Sequence, residues 1–147
     1  MFQNYYELDN GKQASHYIFK HKLGFSYGNC FKYLVRANRK ANNSAESDLN
    51  KALSYIVEAN KEYSFFNRLA HKLYNTYTFN FNTQFAEYNL AQILYSIIRF
   101  DSPKKIAKQI IKYMNLHGVK VKDEYKKYAW STKTISKIIY WWCCKSI

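Results

Sequence analysis

Two pieces of sequence decide the fold: Gly28-Asn29-Cys30-Phe31-Lys32-Tyr33-Leu34-Val35-Arg36-Ala37-Asn38-Arg39-Lys40, and then Asp48-Leu49-Asn50-Lys51-Ala52-Leu53-Ser54-Tyr55. Apolar side chains recur in both at spacings of three and four. They are Cys30, Phe31, Leu34, Val35 and Ala37, and then Leu49, Ala52, Leu53, Ile56 and Val57. That period belongs to α-helices with one buried side. Asn29 is placed to cap the first helix, about 29–39. The second starts near Ser44 to Ser47 and covers about 46–60. The polar connector Lys40 to Ala45 is short, so the two helices are predicted to lie antiparallel.

On either side of this pair the chain keeps the same period. A turn at Asp9-Asn10-Gly11 precedes a short helix over Lys12 to Lys22, with Ala14, Ile18 and Phe19 predicted inward. After residue 60 the second helix continues or restarts through Phe65, Phe66, Leu69, Leu73 and Tyr74. Asn75 to Thr83 alternates in the manner of a strand, has no obvious partner, and is read as an extended connector. Gln84 to Phe100 is a strongly apolar helix. Ser102-Pro103 starts another, which ends near His117-Gly118. A last helix, from about Ser131 to Trp142, carries Ile135, Ile138, Ile139 and Trp142. The expected fold is all-α, a compact bundle of about six or seven helices. Residues 1–75 would form one unit and 76–147 a basic helical extension packed on it, or the whole would be a single domain.

Composition agrees. The chain has 147 residues, four Gly and one Pro, too few turn-formers for a many-stranded sandwich or barrel. With 48% hydrophobic residues it can bury a core without disulfides or a structural metal. The 23 Lys plus Arg against 10 Asp plus Glu give a net charge of +13. Part of that reflects codon usage, since Lys, Asn, Ile, Tyr and Phe make up close to half the chain. The remainder is a field that attracts polyanions.

Several chemistries lack their residues. Cys30, Cys143 and Cys144 form no CxxC, and His16, His21, His71 and His117 have no zinc-ligand spacing. Gly11-Lys12 is not a Walker phosphate loop, because Tyr6 stands where the first Gly belongs. Ser-His-Asp and GxSxG patterns are missing. Neither a signal peptide nor an apolar run of membrane-spanning length is present, and Lys145 breaks the prenylation box that the ending Cys144-Lys145-Ser146-Ile147 suggests. The chain therefore reads as a reduced cytoplasmic protein that does not engage a membrane and has no metal site of its own.

The helix pair carries the chemistry. Asn29, Lys32, Tyr33, Arg36 and Lys40 share one helical face, and Asp48, Lys51 and Tyr55 share another. Brought together, they make a small pocket of cations and phenols with one carboxylate. Asp48 can orient Arg36 or Lys32, while the remaining cations point at a bound anion. The same residues are also compatible with an ordinary surface helix pair laced by salt bridges.

The two quoted pieces resemble the small bacteriophage and prophage nucleotide kinase-like domain family. Its pattern is Gly-Asn, Lys-Tyr, Arg-Ala-Gly-Lys-Lys, then Asp-Leu-x-Lys-Ala and a Tyr, and the resemblance spans residues 5 to about 60. It implies a nucleotide site of Gly28, Asn29, Lys32, Tyr33, Arg36, Lys40, Lys51 and Tyr55, with Arg36, Asp48 and Lys51 as the catalytic set if phosphoryl is transferred. It further implies deoxynucleoside monophosphates and a nucleoside triphosphate with Mg²⁺ as ligands of an active kinase. Two positions depart from the pattern: Tyr5-Tyr6 replaces the family's His-Tyr, and Asn38 replaces the Gly after Arg-Ala.

Residues 102–147 hold eleven Lys and two acids. Lys104, Lys105, Lys108, Lys112, Lys133 and Lys137 are therefore candidate nucleic-acid contacts, either to phosphates or through a helix-turn-helix variant that presents the Ser131-to-Trp142 helix. Residues 88–108 faintly repeat the helix, connector, helix layout of 28–55. Trp141-Trp142-Cys143-Cys144 suits docking on the core, with homodimerisation as the alternative. Three functions follow as expectations: a phage-type nucleotide-binding protein or nucleoside monophosphate kinase, a non-enzymatic counter-defence effector that blocks a host defence complex or nuclease, and a nucleic-acid binder.

Overall fold

In a computed structural model, residues 4–37, 39, 44–78 and 86–129 are described, with side chains to Asn75 in the third stretch. They form seven α-helices: α1 (Ala14–Lys20), α2 (Phe25–Arg36), α3 (Ala45–Glu62), α4 (Phe65–Thr78), α5 (Tyr88–Ile98), α6 (Pro103–Leu116) and α7 (Asp123–Lys126). Short 3₁₀ turns occupy Asn4–Tyr6 and Lys127–Ala129. No strand occurs among the described residues, so the all-α expectation holds. The expected Ser131-to-Trp142 helix, Lys133 and Lys137 within it, and Lys40 lie outside them.

The helix ends follow local chemistry. Ser44 caps α3 by accepting from the Ser47 N–H, and Ser102 caps α6 by accepting from the Lys105 N–H, with Pro103 first in the helix. Gly118 ends α6 at φ +66°, and Gly11 closes the Asp9–Gly11 turn at φ +75°. At α2 the boundaries are corrected. The helix starts at Phe25 with Gly24 as its cap and stops at Arg36, short of Arg39. Asn29 is therefore inside α2, and its Nδ2 donates back to the Phe25 carbonyl at 2.9 Å.

A core of α2, α3, α5 and α6 lies at the centre. Phe31 and Leu34 from α2, Leu49, Leu53 and Ile56 from α3, Leu94 and Ile97 from α5, and Ile106 and Ile110 from α6 are fully buried in it. These side chains come from both sides of residue 75 and form one continuous cluster. The turn between α5 and α6 holds Phe100 at φ +51°, unusual for a bulky side chain. Packing compensates, because its ring stacks on His71 at 4.4 Å and leans on Tyr27 at 4.6 Å.

Two expectations outside the core are overturned. Phe19 is 80% exposed, and Tyr17 takes the inward place on α1. Asn75 to Thr78 continues α4 instead of extending as a connector; residues 79–83 lie outside the described set. Asn75 is fully buried, and its Nδ2 donates to the carbonyls of Ile98 at 2.8 Å and His21 at 3.3 Å. The orientation of α4 is a finding of its own. Phe65, Phe66, Leu69 and Leu73, through which the second helix was read to continue or restart, point to water. The side that meets the body is polar: Lys72 pairs with Asp101, and the Arg68 guanidinium donates to the Tyr63 carbonyl. Asn75 has no apolar substitute there, since it satisfies carbonyls at two helix ends.

Candidate anion site on the α2–α3 face

α2 and α3 pack along the predicted seam, and their contact is the most extensive among the described helices. The polar residues at its edge are thereby brought together. Arg36 donates from Nε to Asp48 Oδ2 at 2.8 Å and from Nη2 to Asp48 Oδ1 at 2.5 Å. The Asp48 side chain is only 1% exposed. Its hydrogen bonds, followed by burial acting in the opposite sense, leave the guanidinium more firmly protonated than an ordinary Arg. Arg36 Nη1 donates a third bond to the Tyr6 hydroxyl at 3.1 Å. Of the two partners expected for Asp48, Arg36 and Lys32, the structure pairs it with Arg36.

The Tyr33 ring is the centre of the site. Three cations surround it: Arg36 Cζ at 4.7 Å, Lys32 Nζ at 4.9 Å and Lys51 Nζ at 5.6 Å from the ring centroid. One ring face attracts cations only modestly and does not neutralise three. Tyr55 stacks alongside Tyr33, with centroids 5.6 Å apart and planes 11° from parallel. Phe25 meets the Tyr55 ring edge-on. Asn29 Oδ1 accepts from Lys32 Nζ at 2.8 Å, which positions the ammonium without removing its charge. Among the described residues, neither Lys32 nor Lys51 is in a salt bridge.

Beside Lys51 a groove of about 360 Å³ opens between α3 and the segment around α7. It is lined by Ser44, Glu46, Ser47, Asn50, Lys51, Lys122 and Tyr125, among others. Asn50 joins the two sides: its Nδ2 donates to the Lys120 carbonyl and its Oδ1 accepts from the Lys122 N–H, both at 3.0 Å. Sequence reasoning missed Lys122 and Tyr125, because nothing local links residue 122 to residue 51. Tyr6 was missed as a site residue, although the Tyr5-Tyr6 dipeptide had already been set in the family pattern.

Other expected site residues are placed elsewhere. Gly28 is buried in α2 against α1, where a Cβ would stand 3.2 Å from Ile18 Cγ2, so it serves close helix packing and does not cradle a ligand here. Lys104, Lys108 and Lys112 lie exposed in single file on α6. Lys105 pairs with Asp101 at 2.6 Å. The donor set does not fit a protein-held Mg²⁺: both Asp48 oxygens are engaged by Arg36, and no cluster of three metal-binding side chains occurs among the described residues. No helix among them is long and apolar enough to cross a membrane.

Comparison with known proteins covers the same region. A family model described as a protein of unknown function, DUF3310, matches residues 10–57, which take in α1, α2 and most of α3. No curated protein and no solved structure matches the chain. The part of the sequence that is similar to this family therefore includes Lys32, Tyr33, Arg36, Asp48, Lys51 and Tyr55 and stops before α4.

Proposed function

We propose that the α2–α3 face binds a phosphate-bearing small molecule, with a nucleotide as the preferred class. One observation carries the reading: three cations converge on the Tyr33 ring while Asp48, the carboxylate buried between the two helices, is closed off by Arg36. Lys32 and Lys51 are the phosphate contacts. The Tyr33–Tyr55 pair offers a π surface for a base, and Arg36 sets the geometry from behind. A nucleoside monophosphate kinase would use this site for positioning and charge neutralisation, its Mg²⁺ being carried by the triphosphate. Binding by itself needs no turnover.

Calorimetric titration with nucleoside, monophosphate and triphosphate tests the reading. Affinity should rise with phosphate count and vanish in Lys32→Ala/Lys51→Ala. No heat with any nucleotide at millimolar concentration ends it.

A second reading, a counter-defence effector that binds a host protein, is favoured by the outward apolar side of α4. It predicts a stoichiometric complex lost on changing Phe66 and Leu69 to Ser, with no nucleotide dependence.

A further inference from the structure

α5 and α6 form an antiparallel hairpin with a furrow along its outer side. Two adjoining hollows of about 190 and 400 Å³ make up this furrow, and Gln92 and Gln109 belong to both. The residues are ordered along it. Arg99 and Lys105 stand at one end and Lys112 at the other, with the carboxamides of Asn89, Gln92 and Gln109 and the phenols of Tyr88, Tyr95 and Tyr113 distributed along the way. From Lys105 to Leu116 the α6 side spans roughly 16 Å at 1.5 Å per residue.

Two features mark the furrow as a recognition surface. First, Gln109 Oε1 is buried and has no hydrogen-bond partner among the described residues. Such an acceptor is costly to leave unmet, and a turn of the Gln109 side chain, which lines both hollows, would bring it to a donor in the furrow. Second, the acids are already engaged. Asp101 is held by Lys72 and Lys105, and Glu87 at the start of α5 accepts from the Leu90 N–H. The furrow therefore combines positive ends with neutral hydrogen-bonding amides and an exposed aromatic ring, Tyr88 at 74%.

We infer that this α5–α6 furrow binds single-stranded nucleic acid, with one base seated against Gln109 and Tyr88 and the flanking phosphates on Lys112 and on Arg99 with Lys105. Amides read donor and acceptor edges of an unpaired base, and an aromatic ring stacks on its face. A duplex hides its Watson–Crick edges in base pairs and its base faces in the stack. Lys104 and Lys108, beside Lys105 and Lys112 on α6, extend the positive flank for the continuing strand. The site is independent of the α2–α3 face and shares no residue with it.

Fluorescence anisotropy with labelled oligo-U, oligo-dT and a duplex of equal length tests the inference. Single strands should bind more tightly than duplex, and the RNA and DNA arms report whether the 2′-hydroxyl matters. Gln109→Leu and Tyr88→Ala should each weaken single-strand binding about tenfold with the salt slope unchanged. Lys108→Ala/Lys112→Ala should weaken it and flatten the salt slope. Tyr88 is exposed, so its variant keeps the fold if Gln109→Leu does not. Lys32→Ala/Lys51→Ala should bind oligonucleotide as the parent does, which separates this inference from the nucleotide reading. Equal affinity for duplex and single strand, indifference to Gln109→Leu and Tyr88→Ala, or no binding at low salt would overturn it.

Discussion

Arg36 on α2 and Asp48 on α3 meet in a two-pronged ion pair almost wholly out of water, the Arg side chain 10% and the Asp side chain 1% exposed. A buried carboxylate left without its partner is expensive. Arg36→Ala should destabilise the protein by about 3–5 kcal/mol, and Arg36→Lys should recover only part of that, since an ammonium cannot reproduce the fork. Replacing both residues with Leu should cost less than Arg36→Ala alone. Urea denaturation of the three variants checks the order.

Lys32 and Lys51 should behave in the opposite way. Their charges lie at the rim, so alanine substitutions should leave the urea midpoint within about 0.5 kcal/mol of the parent. Loss of nucleotide binding with unchanged stability would separate ligand contacts from structural cations. If Lys51→Ala unfolds the protein, Lys51 is structural.

His21 gives the protein a pH dependence above the carboxylate range. Asn75 donates from Nδ2 to two carbonyls, so its Oδ1 accepts, and His21 must carry its proton on Nδ1 across the 3.2 Å contact. Burial is the main cause that lowers the His21 pKa, with the Asn75 bond opposing it; His71 is lowered by burial and by Lys22. Both are bases that the fold prefers neutral. Stability should be complete above the ordinary value of 6.5 and decline as pH falls below it toward the lowered values. Thermal melts from pH 8 to 5 should show the decline, and His21→Gln should reduce it.

Asp101 acts lower on the pH scale. Burial pushes its carboxyl up, but Lys105 and Lys72 outweigh that and hold it below the ordinary value of 3.8. Its contribution should be intact above that value and lost as pH falls through the lowered one. Because Lys72 belongs to α4, amide exchange should show α4 opening first in acid, and Asp101→Asn should open it at neutral pH.

Gly24 is predicted to tolerate no side chain. A Cβ there would overlap the Tyr63 hydroxyl, and that ring is fixed against Tyr27 and Phe100, with centroids 5.4 and 5.5 Å away. Gly24→Ala should cost about 1–3 kcal/mol, measured by denaturation. Gly11→Ala meets no atom within 4 Å, so its smaller cost should come from the positive φ alone.

The helix pair was legible because its signals are local. Apolar spacing placed Leu34, Leu49, Leu53 and Ile56 inward, and one turn of helix put Lys32, Tyr33 and Arg36 on a shared side. Ser102-Pro103 marked α6 for the same reason. What failed depended on distant partners. α4 reads as an ordinary amphipathic helix, and its inward side is set by distant partners: Asn75 on carbonyls of residues 21 and 98, Lys72 on Asp101, and His71 on Phe100. Asn29 has a good capping side chain, but Gly24 is the residue with room beside Tyr63. Lys122 reaches the groove near Lys51 through Asn50, a link made across more than seventy residues. Short-range periodicity contains none of these.

The shared core has a consequence for how the chain can be divided. Residues 10–57 resemble a family segment, yet Leu49, Leu53 and Ile56 are sealed by Ile106 and Ile110, far outside that segment. A fragment ending near residue 75 would leave this surface wet and should not fold autonomously. Supplied with residues 86–129 as a separate peptide, the fragment should regain cooperative melting by complementation. The family-like piece, about a third of the chain, thus shares its core with helices that the family match does not include, and any activity assigned to it should depend on them.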